Sequence, residues 1–483
     1  MLIHTFGEVL YHLKGTFDGV PDHDNPFLEH YVPWCVQSPL LVHTSLYISA
    51  QPLAERHFLD ETTTMRIKVN AIHVLNEYLR SVDTAICTGD EAMGAVAQFI
   101  SIEFYYGTPA AMLAHLHGLR QMVQLRGGFP HSRVGALVTK VALVGDCIIA
   151  ISLEVEPILQ MSTTFPYAYD EPPPPTFNLS YSTPLLAPRL PFSTCISSLG
   201  LHPATAWLLD EMAFLINVVL NLPVDSDGQG SQAVQQELAK LRATAAWTLA
   251  RIEELPVDSP DSAVIVAEDV HNEEAKTPPS TSKTGAEAQQ VNPSNNSSPN
   301  SDSPSNTQPK PHSLLPRYPK FSSSDSVSSP SPRPPPSDSS TSTALRPQHP
   351  PAGPLYTAVR LTACLYTRAI LERKPFSQVC SDEDALAILA ASWRVPLDRW
   401  RGVVGIFIFV MVALVPTLHQ RSDLPASAGS GGIRSHIHTR FAKSILQIGL
   451  MNVSLVDWPA CREMVSRSLR LQRWLREGEA VAM

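Results

Sequence analysis

Residues 257–353 set the first limit on what this chain can fold into. The stretch is mostly Ser, Pro, Thr and Asn, with few aromatics; NPSNNSSPNSDSPSNTQPKPHS at 292–313 is typical of it. Fixing a backbone costs about 1–2 kcal/mol per residue, and so little apolar surface cannot offset that. The expectation is a long disordered insertion. It separates an N-terminal block, 1–256, from a C-terminal block, 354–477. The chain's 43 prolines among 483 residues fit such a division.

Both blocks read as helices, and strand alternation of useful length is absent, so the fold class is all-α. From Asp60 to Val82, Met65, Val69, Ile72, Leu75 or Asn76, and Leu79 recur at three-to-four spacing and mark the expected buried face. Asp90 is the expected N-cap of the next helix, with Met93, Val96, Ala97, Ile100 and Phe104 on one side and an end near Gly107. Thr108-Pro109 then supplies a cap and a first-turn proline. The helix it opens carries Met112, Leu116, Leu119 and Val123, and Gly127-Gly128 stops it, with Phe129 placed to pack back on its last turn. Further helices are expected at 133–156, ended by Pro157, and at 202–222 and 231–255. In the C-terminal block they fall at 355–373, 382–392, 397–415, 433–449 and 459–477. A proline-rich loop spans 157–200.

One apolar run resembles a membrane span. Gly402 to Leu418 reads GVVGIFIFVMVALVPTL, but only about 14 residues precede Pro416, short of the ~20 that cross a bilayer. The expectation is the central core helix, 403–415, and no membrane partner. The seven cysteines are scattered and odd in number, which reads as thiols in a reducing compartment and not as a disulfide framework. A formal net charge of -9 gives the chain no general attraction to phosphate backbones.

The helix ending in HLHGLRQMVQLRGGF (115–129) resembles the signature of the fungal-specific transcription factor domain family. NPFLEHYVPWCVQSPLLVHTSLYISAQPL (25–53) is similar to that family's opening helix, and WRVPLDRWRGVVGIFIFVMVAL (393–414) to its Trp-rich entry to an apolar helix. Asp146 stands where the family tends to place an acid after the turn. The resemblance implies a multi-helix regulatory domain with His115, Gly118, Leu119, Met122, Arg126, Gly127 and Gly128 as its structural signature. Family members usually carry six paired cysteines that hold two zinc ions and order a DNA-reading helix. Here only Cys35 lies in the first 80 residues. The resemblance therefore implies a transcriptional regulator in a fungal nucleus, acting through protein partners of the transcription machinery and without direct DNA binding. It also implies pairing of two copies. The alternatives are a truncated gene product whose zinc cluster lies upstream, or a helical enzyme of a biosynthetic pathway.

Residue chemistry adds little to that. His115 and His117, and His436 and His438, stand at i and i+2 and point apart on a helix, so neither pair chelates one ion. His12 and His23 have no cysteine nearby. Gly127-Gly128 follows a helix, whereas a phosphate cradle precedes one. There is no GxSxG, no HExxH and no acid pair in an apolar setting; Asp382-Glu383-Asp384 reads as a solvated helix start. No catalytic, cofactor or metal residue is assigned, and the chain is read as not an enzyme. Arg462, Arg467, Arg470, Arg473 and Arg476 make the last helix basic, as a docking helix with a solvated rim or a surface for an acidic partner. Ser259, Thr277, Ser298, Ser303, Ser329 and Ser331 precede prolines in the insertion and are candidate phosphorylation sites, each adding roughly -1.5 to -2 charge.

Overall fold

The computed structural model describes residues 27–129, 133–159, 178–187, 190–222, 232–256, 353–422 and 432–480. The expected disordered insertion, the six Ser/Thr-Pro sites, His12, His23 and residues 160–177 and 188–189 of the proline-rich loop lie outside them. Among the described residues the chain is helical, with no strand. Two units are distinguished. Met1–Ala267 with His349–Met483 form the first, and Glu268–Gln348, wholly outside the described residues, the second.

The first unit opens with a wide turn at Phe27–Tyr31, then α1 (Val32–Gln37), α2 (Pro39–Glu55), α3 (Glu61–Leu79) and the short α4 (Thr84–Cys87). It continues with α5 (Asp90–Tyr106), α6 (Pro109–Arg126) and α7 (Arg133–Leu153), then the short α8 (Ile196–Leu199), α9 (Pro203–Leu220) and α10 (Gln232–Glu253). The C-terminal block supplies α11 (Pro354–Glu372), the short α12 (Phe376–Val379), α13 (Asp382–Arg394), α14 (Leu397–Arg401), α15 (Val404–Ser422), α16 (Gly432–Val456) and α17 (Trp458–Ala480).

Both blocks contribute to one hydrophobic core. Helix α7 packs on α15, α16 and α17, while α9 and α10 pack on α11. The residues from Val403 to Val415, apart from Gly405, are each 0–3% exposed. Burying side chains of this kind stabilises by about 1.5–3 kcal/mol each. Helices α7 and α9 include stretches long and apolar enough to cross a membrane, but most of each stretch is buried inside the fold. Core helices meet the same length and composition test. Helix α5 is buried nearly all round from Ala92 to Phe104. Its one central polar side chain, Gln98, donates from Nε2 to Tyr31 Oη (3.2 Å), Ser45 Oγ (3.4 Å) and Cys35 Sγ (3.5 Å), and accepts from Thr44 Oγ1. The buried amide is thereby satisfied, and it ties the opening turn, α1 and α2 to α5.

Several expectations need correction. Helix α3 is rotated from the reading above. Met65, Val69, Ile72 and Leu79 are exposed, and only Leu75 of the expected face is buried. Thr64, Ala71 and Leu75 are buried instead, with Ile67, Val74 and Tyr78 partly so. The sequence has two apolar stripes, and the one with small residues packs because Ala71 and Thr64 let α3 approach α2 and α5 closely. Lys68 Nζ pins that rotation by meeting the buried Glu103 carboxylate at 2.7 Å.

Asp90 is not a cap. Gly89 takes that position, and Asp90 sits in the first turn. The segment 397–415 is not one helix: it breaks at Gly402-Val403 and runs on through Pro416 to Ser422. A proline inside a helix costs about 3 kcal/mol, and tertiary burial offsets it here. Thr417 is 1% and Leu418 4% exposed, and Leu418 O accepts from Thr439 Oγ1 at 2.8 Å. Helix α7 ends at Leu153, before Pro157, because Glu154 adopts a left-handed conformation at φ 52°.

The basic last helix is used internally. Arg470 donates to Leu220 O at the C-terminal end of α9 (2.8 Å), Arg467 to Asn217 Oδ1 (3.4 Å), and Arg473 and Arg476 reach the Glu156 carboxylate. Cations at a helix C-terminus complement its dipole, so these arginines seat α17 on α9.

Candidate functional site

The signature residues form a structural staple. Leu119 and Met122 are buried in the core. The His115 ring stacks on Phe99 (centroids 5.4 Å apart), and burial holds its imidazole below the ordinary histidine range, with Glu103 pulling the other way. His117 is exposed, so the two rings share no site. Arg126 Nη1 meets Asp90 Oδ1 at 2.5 Å and Thr88 O at 3.2 Å, which ties the end of α6 to the start of α5. Gly127 takes φ 82° and Gly128 φ 149°, and the Gly128 N–H donates to Val123 O at 3.0 Å. This is a left-handed helix stop of the kind glycine permits. A Cβ at Gly118 would meet no atom within 4 Å.

Two substitutions should therefore move stability in opposite directions. Gly127→Ala should cost about 1 kcal/mol, the strain of a side chain at positive φ. Gly118→Ala, inside the helix, should add about 0.5–1 kcal/mol. Urea unfolding of both variants reads the two signs.

Asp146 is 1% exposed and accepts from the Ile158 N–H (3.0 Å) and the Leu159 N–H (2.7 Å). It therefore folds the chain after α7 back onto that helix.

Two of the concave regions among the described residues show what the fold offers a ligand. One, of about 370 Å³, is lined by Leu389, Trp393, Trp400, Phe407, Phe441 and Ile445. Its polar atoms are occupied: Ser392 Oγ donates to Ile388 O (2.8 Å), and Ser392 O accepts from Trp400 Nε1 (3.1 Å). It offers an apolar wall and no acid or base. The other, of about 170 Å³, lies where α5 and α6 meet α15 and α16 and is polar. There Lys443 Nζ donates to Phe104 O near the end of α5 (3.2 Å), Glu103 holds Lys68, and Arg440 holds Glu55. Burial, with the Lys443 charge adding to it, pushes His419 down to about 3. His419 is therefore neutral at neutral pH and a poor general acid there.

The exposed stripe of α3 is the third feature. Met65 and Val69 are more than half exposed, Ile72 and Leu79 more than a third. Val82 and Ile86 continue exposed apolar surface beyond the helix end. The sequence signal for this surface was present, but it pointed to the core, because periodicity identifies a stripe and not what it faces.

Residues 5–242 match the model of the fungal specific transcription factor domain. Those residues belong to the fungal specific transcription factor domain family. The match contains 25–53, the signature helix α6 and its glycine stop, and the exposed stripe of α3. It ends inside α10, so the similarity read at 393–414 lies beyond it. The family is a transcription factor family and not an enzyme family. No curated protein and no solved structure matches the chain.

Proposed function

We propose that this protein is a nuclear transcriptional regulator that acts through contacts with proteins of the transcription machinery, with neither zinc-cluster DNA binding nor catalysis of its own. The family match over 5–242 carries the reading. The thiols support it: Cys35 and Cys461 are buried, and burial pushes each up to about 12, which makes them poor metal ligands and poor nucleophiles. The polar cavity supports it too, since Glu103, Arg440 and Lys443 are each engaged, by Lys68, Glu55 and the Phe104 carbonyl. On this reading the C-terminal helices, 354–477, complete the regulatory domain begun in 1–256, and the segment 257–353 is an insertion within it. Phosphorylation at Ser259, Thr277, Ser298, Ser303, Ser329 and Ser331 would be a regulatory input. A second copy of the chain is a further expected partner.

Fusing the full chain to a heterologous DNA-binding domain should change a nuclear reporter's transcription several-fold. A reporter that does not respond, with the fusion present in the nucleus, counts against the reading.

A further inference from the structure

We propose that the exposed face of α3 is a docking surface for an acidic amphipathic helix of a partner protein. The inference rests on the regulatory reading only for its biological role; the surface itself is argued from geometry. Met65, Val69, Ile72, Asn76 and Leu79 are separated by four, three, four and three residues, the spacing of a heptad seam. At 1.5 Å per residue the seam runs about 20 Å, long enough for three turns or more of a second helix. All five positions are exposed, while the opposite face is held against α2 and α5. A helix that has satisfied its core contacts and still presents such a seam offers the i, i+4, i+7 anchors by which helices are recognised in grooves.

Charge selects the occupant. Arg66, His73 and Arg80 stand seven residues apart along one edge of the seam, and all are exposed. Neither Arg66 nor Arg80 forms an ion pair among the described residues; His73 meets Glu77 at 3.3 Å. The other edge carries Lys68, already committed to Glu103, and Glu61 near the helix start. A second copy of this chain fits poorly. Antiparallel pairing would set Arg66, His73 and Arg80 against their own counterparts, and parallel pairing would set Lys68 against His73, with Glu61 against Arg66 as its one favourable contact. A helix with glutamate or aspartate beside its apolar stripe complements the edge without either conflict. The chain's net charge of -9 does not override this, because at 0.15 M salt charges beyond about 8 Å are largely screened. Within that range the charges beside the seam are Arg66 and Arg80, with Glu77 turned to His73.

The test uses the full chain and a fluorescein-labelled helical peptide of about 20 residues, with leucine at each a and d position and glutamate on both flanks. A control peptide replaces every glutamate with lysine. Fluorescence anisotropy at 0.15 M salt should show saturable binding of the acidic peptide and at least tenfold weaker binding of the basic one. Val69→Asp should abolish binding. The double variant Arg66→Glu, Arg80→Glu should weaken the acidic peptide at least tenfold and strengthen the basic one. All these positions are exposed, and an unchanged melting temperature confirms that each variant is folded. Equal binding of the two peptides, or indifference to the charge reversal, overturns the proposal. So does a wild-type dimer in sedimentation that Val69→Asp converts to monomer. Binding in solution and the reporter response can each fail alone, so failure of this surface is distinguishable from failure of the regulatory reading.

Discussion

Replacing Phe409 with alanine should remove about 3–5 kcal/mol of stability, the range for deleting a fully buried aromatic side chain. Domains of this kind are stable by about 5–15 kcal/mol in total, so one substitution should consume a large share. Phe409 is 0% exposed and lies in the middle of α15. Its ring stacks on Tyr366 of α11 at 4.4 Å with an interplanar angle of 11°, and the Tyr366 hydroxyl donates to Phe409 O at 3.1 Å. Tyr366 in turn meets Phe376 edge-on at 4.8 Å, and the Phe376 N–H donates to Glu154 Oε1 at 2.8 Å. Four contacts therefore lead from the centre of the C-terminal block to the end of α7 in the N-terminal block. The cavity left by alanine has no loose neighbour to fill it, because the flanking residues on α15 are equally buried. Hydrogen exchange read separately over α5 and α15 gives the decisive measurement. If one core serves both blocks, the slowest amides of each helix should lose protection by the same amount. Undiminished protection in α5, with α15 opened, would mean that the two blocks are stable separately and that the shared core is wrong.

The residues that announced themselves in the sequence act through local chemistry. Thr108 accepts from the Ala111 N–H and is followed by Pro109, so the start of α6 needed no tertiary information. Gly127 stops the same helix because of its own conformational freedom. The run after Gly402 is core because nothing but apolar surroundings suits it. Errors arose where a choice depended on another part of the chain. Helix α3 has two apolar stripes of similar period, and only the fit of Ala71 against its neighbours and the reach of Lys68 to Glu103 decide which is buried. Pro416 ought to end a helix by its local cost, yet Thr417 and Leu418 are held by α12 and α16. Glu154 carried no signal at all. A glutamate before Val155 looks like an ordinary helix end, and its partners Phe376 and Ser377 lie more than 200 residues away. The candidate docking face was visible as a pattern but assigned to the wrong side. The signature is legible in the sequence, but its role as a staple between α5 and α6 depends on Asp90 and Thr88 meeting Arg126 from 36 and 38 residues away.

Glu154 should therefore be the second most sensitive position tested, and its substitutions should separate two effects that the wild type combines. The residue is 4% exposed and sits at φ 52°, where a side chain costs about 1–2 kcal/mol. Its carboxylate accepts from the Phe376 N–H and from Ser377 Oγ, so it caps the start of α12 from across the core. Glu154→Ala keeps the backbone strain and removes the acceptor. The Phe376 amide is then buried without a partner, at about 1–3 kcal/mol, and the Ser377 bond is lost as well. The expected total is about 2–4 kcal/mol. Glu154→Gly loses the same bonds but relieves the left-handed strain, so it should be less damaging than alanine by about 1 kcal/mol. Alanine at an ordinary helix position would be the better of the two, so this reversed order identifies the conformation as well as the contact. The carboxyl also links stability to pH. Burial pushes it above the ordinary value of 4.5, with the bonds to Ser377 and Phe376 and the Arg476 charge opposing. A raised folded value means the folded state binds the proton more tightly. The resulting stabilisation is full below about pH 4.5 and is lost as pH rises through the folded value. Glu154→Gln cannot titrate, so its deficit against the wild type should be greatest near pH 4 and shrink towards neutrality. A deficit that grows with pH would show that the ionised carboxylate, held by its bonds, is the favoured form in the fold, and the burial argument would fail.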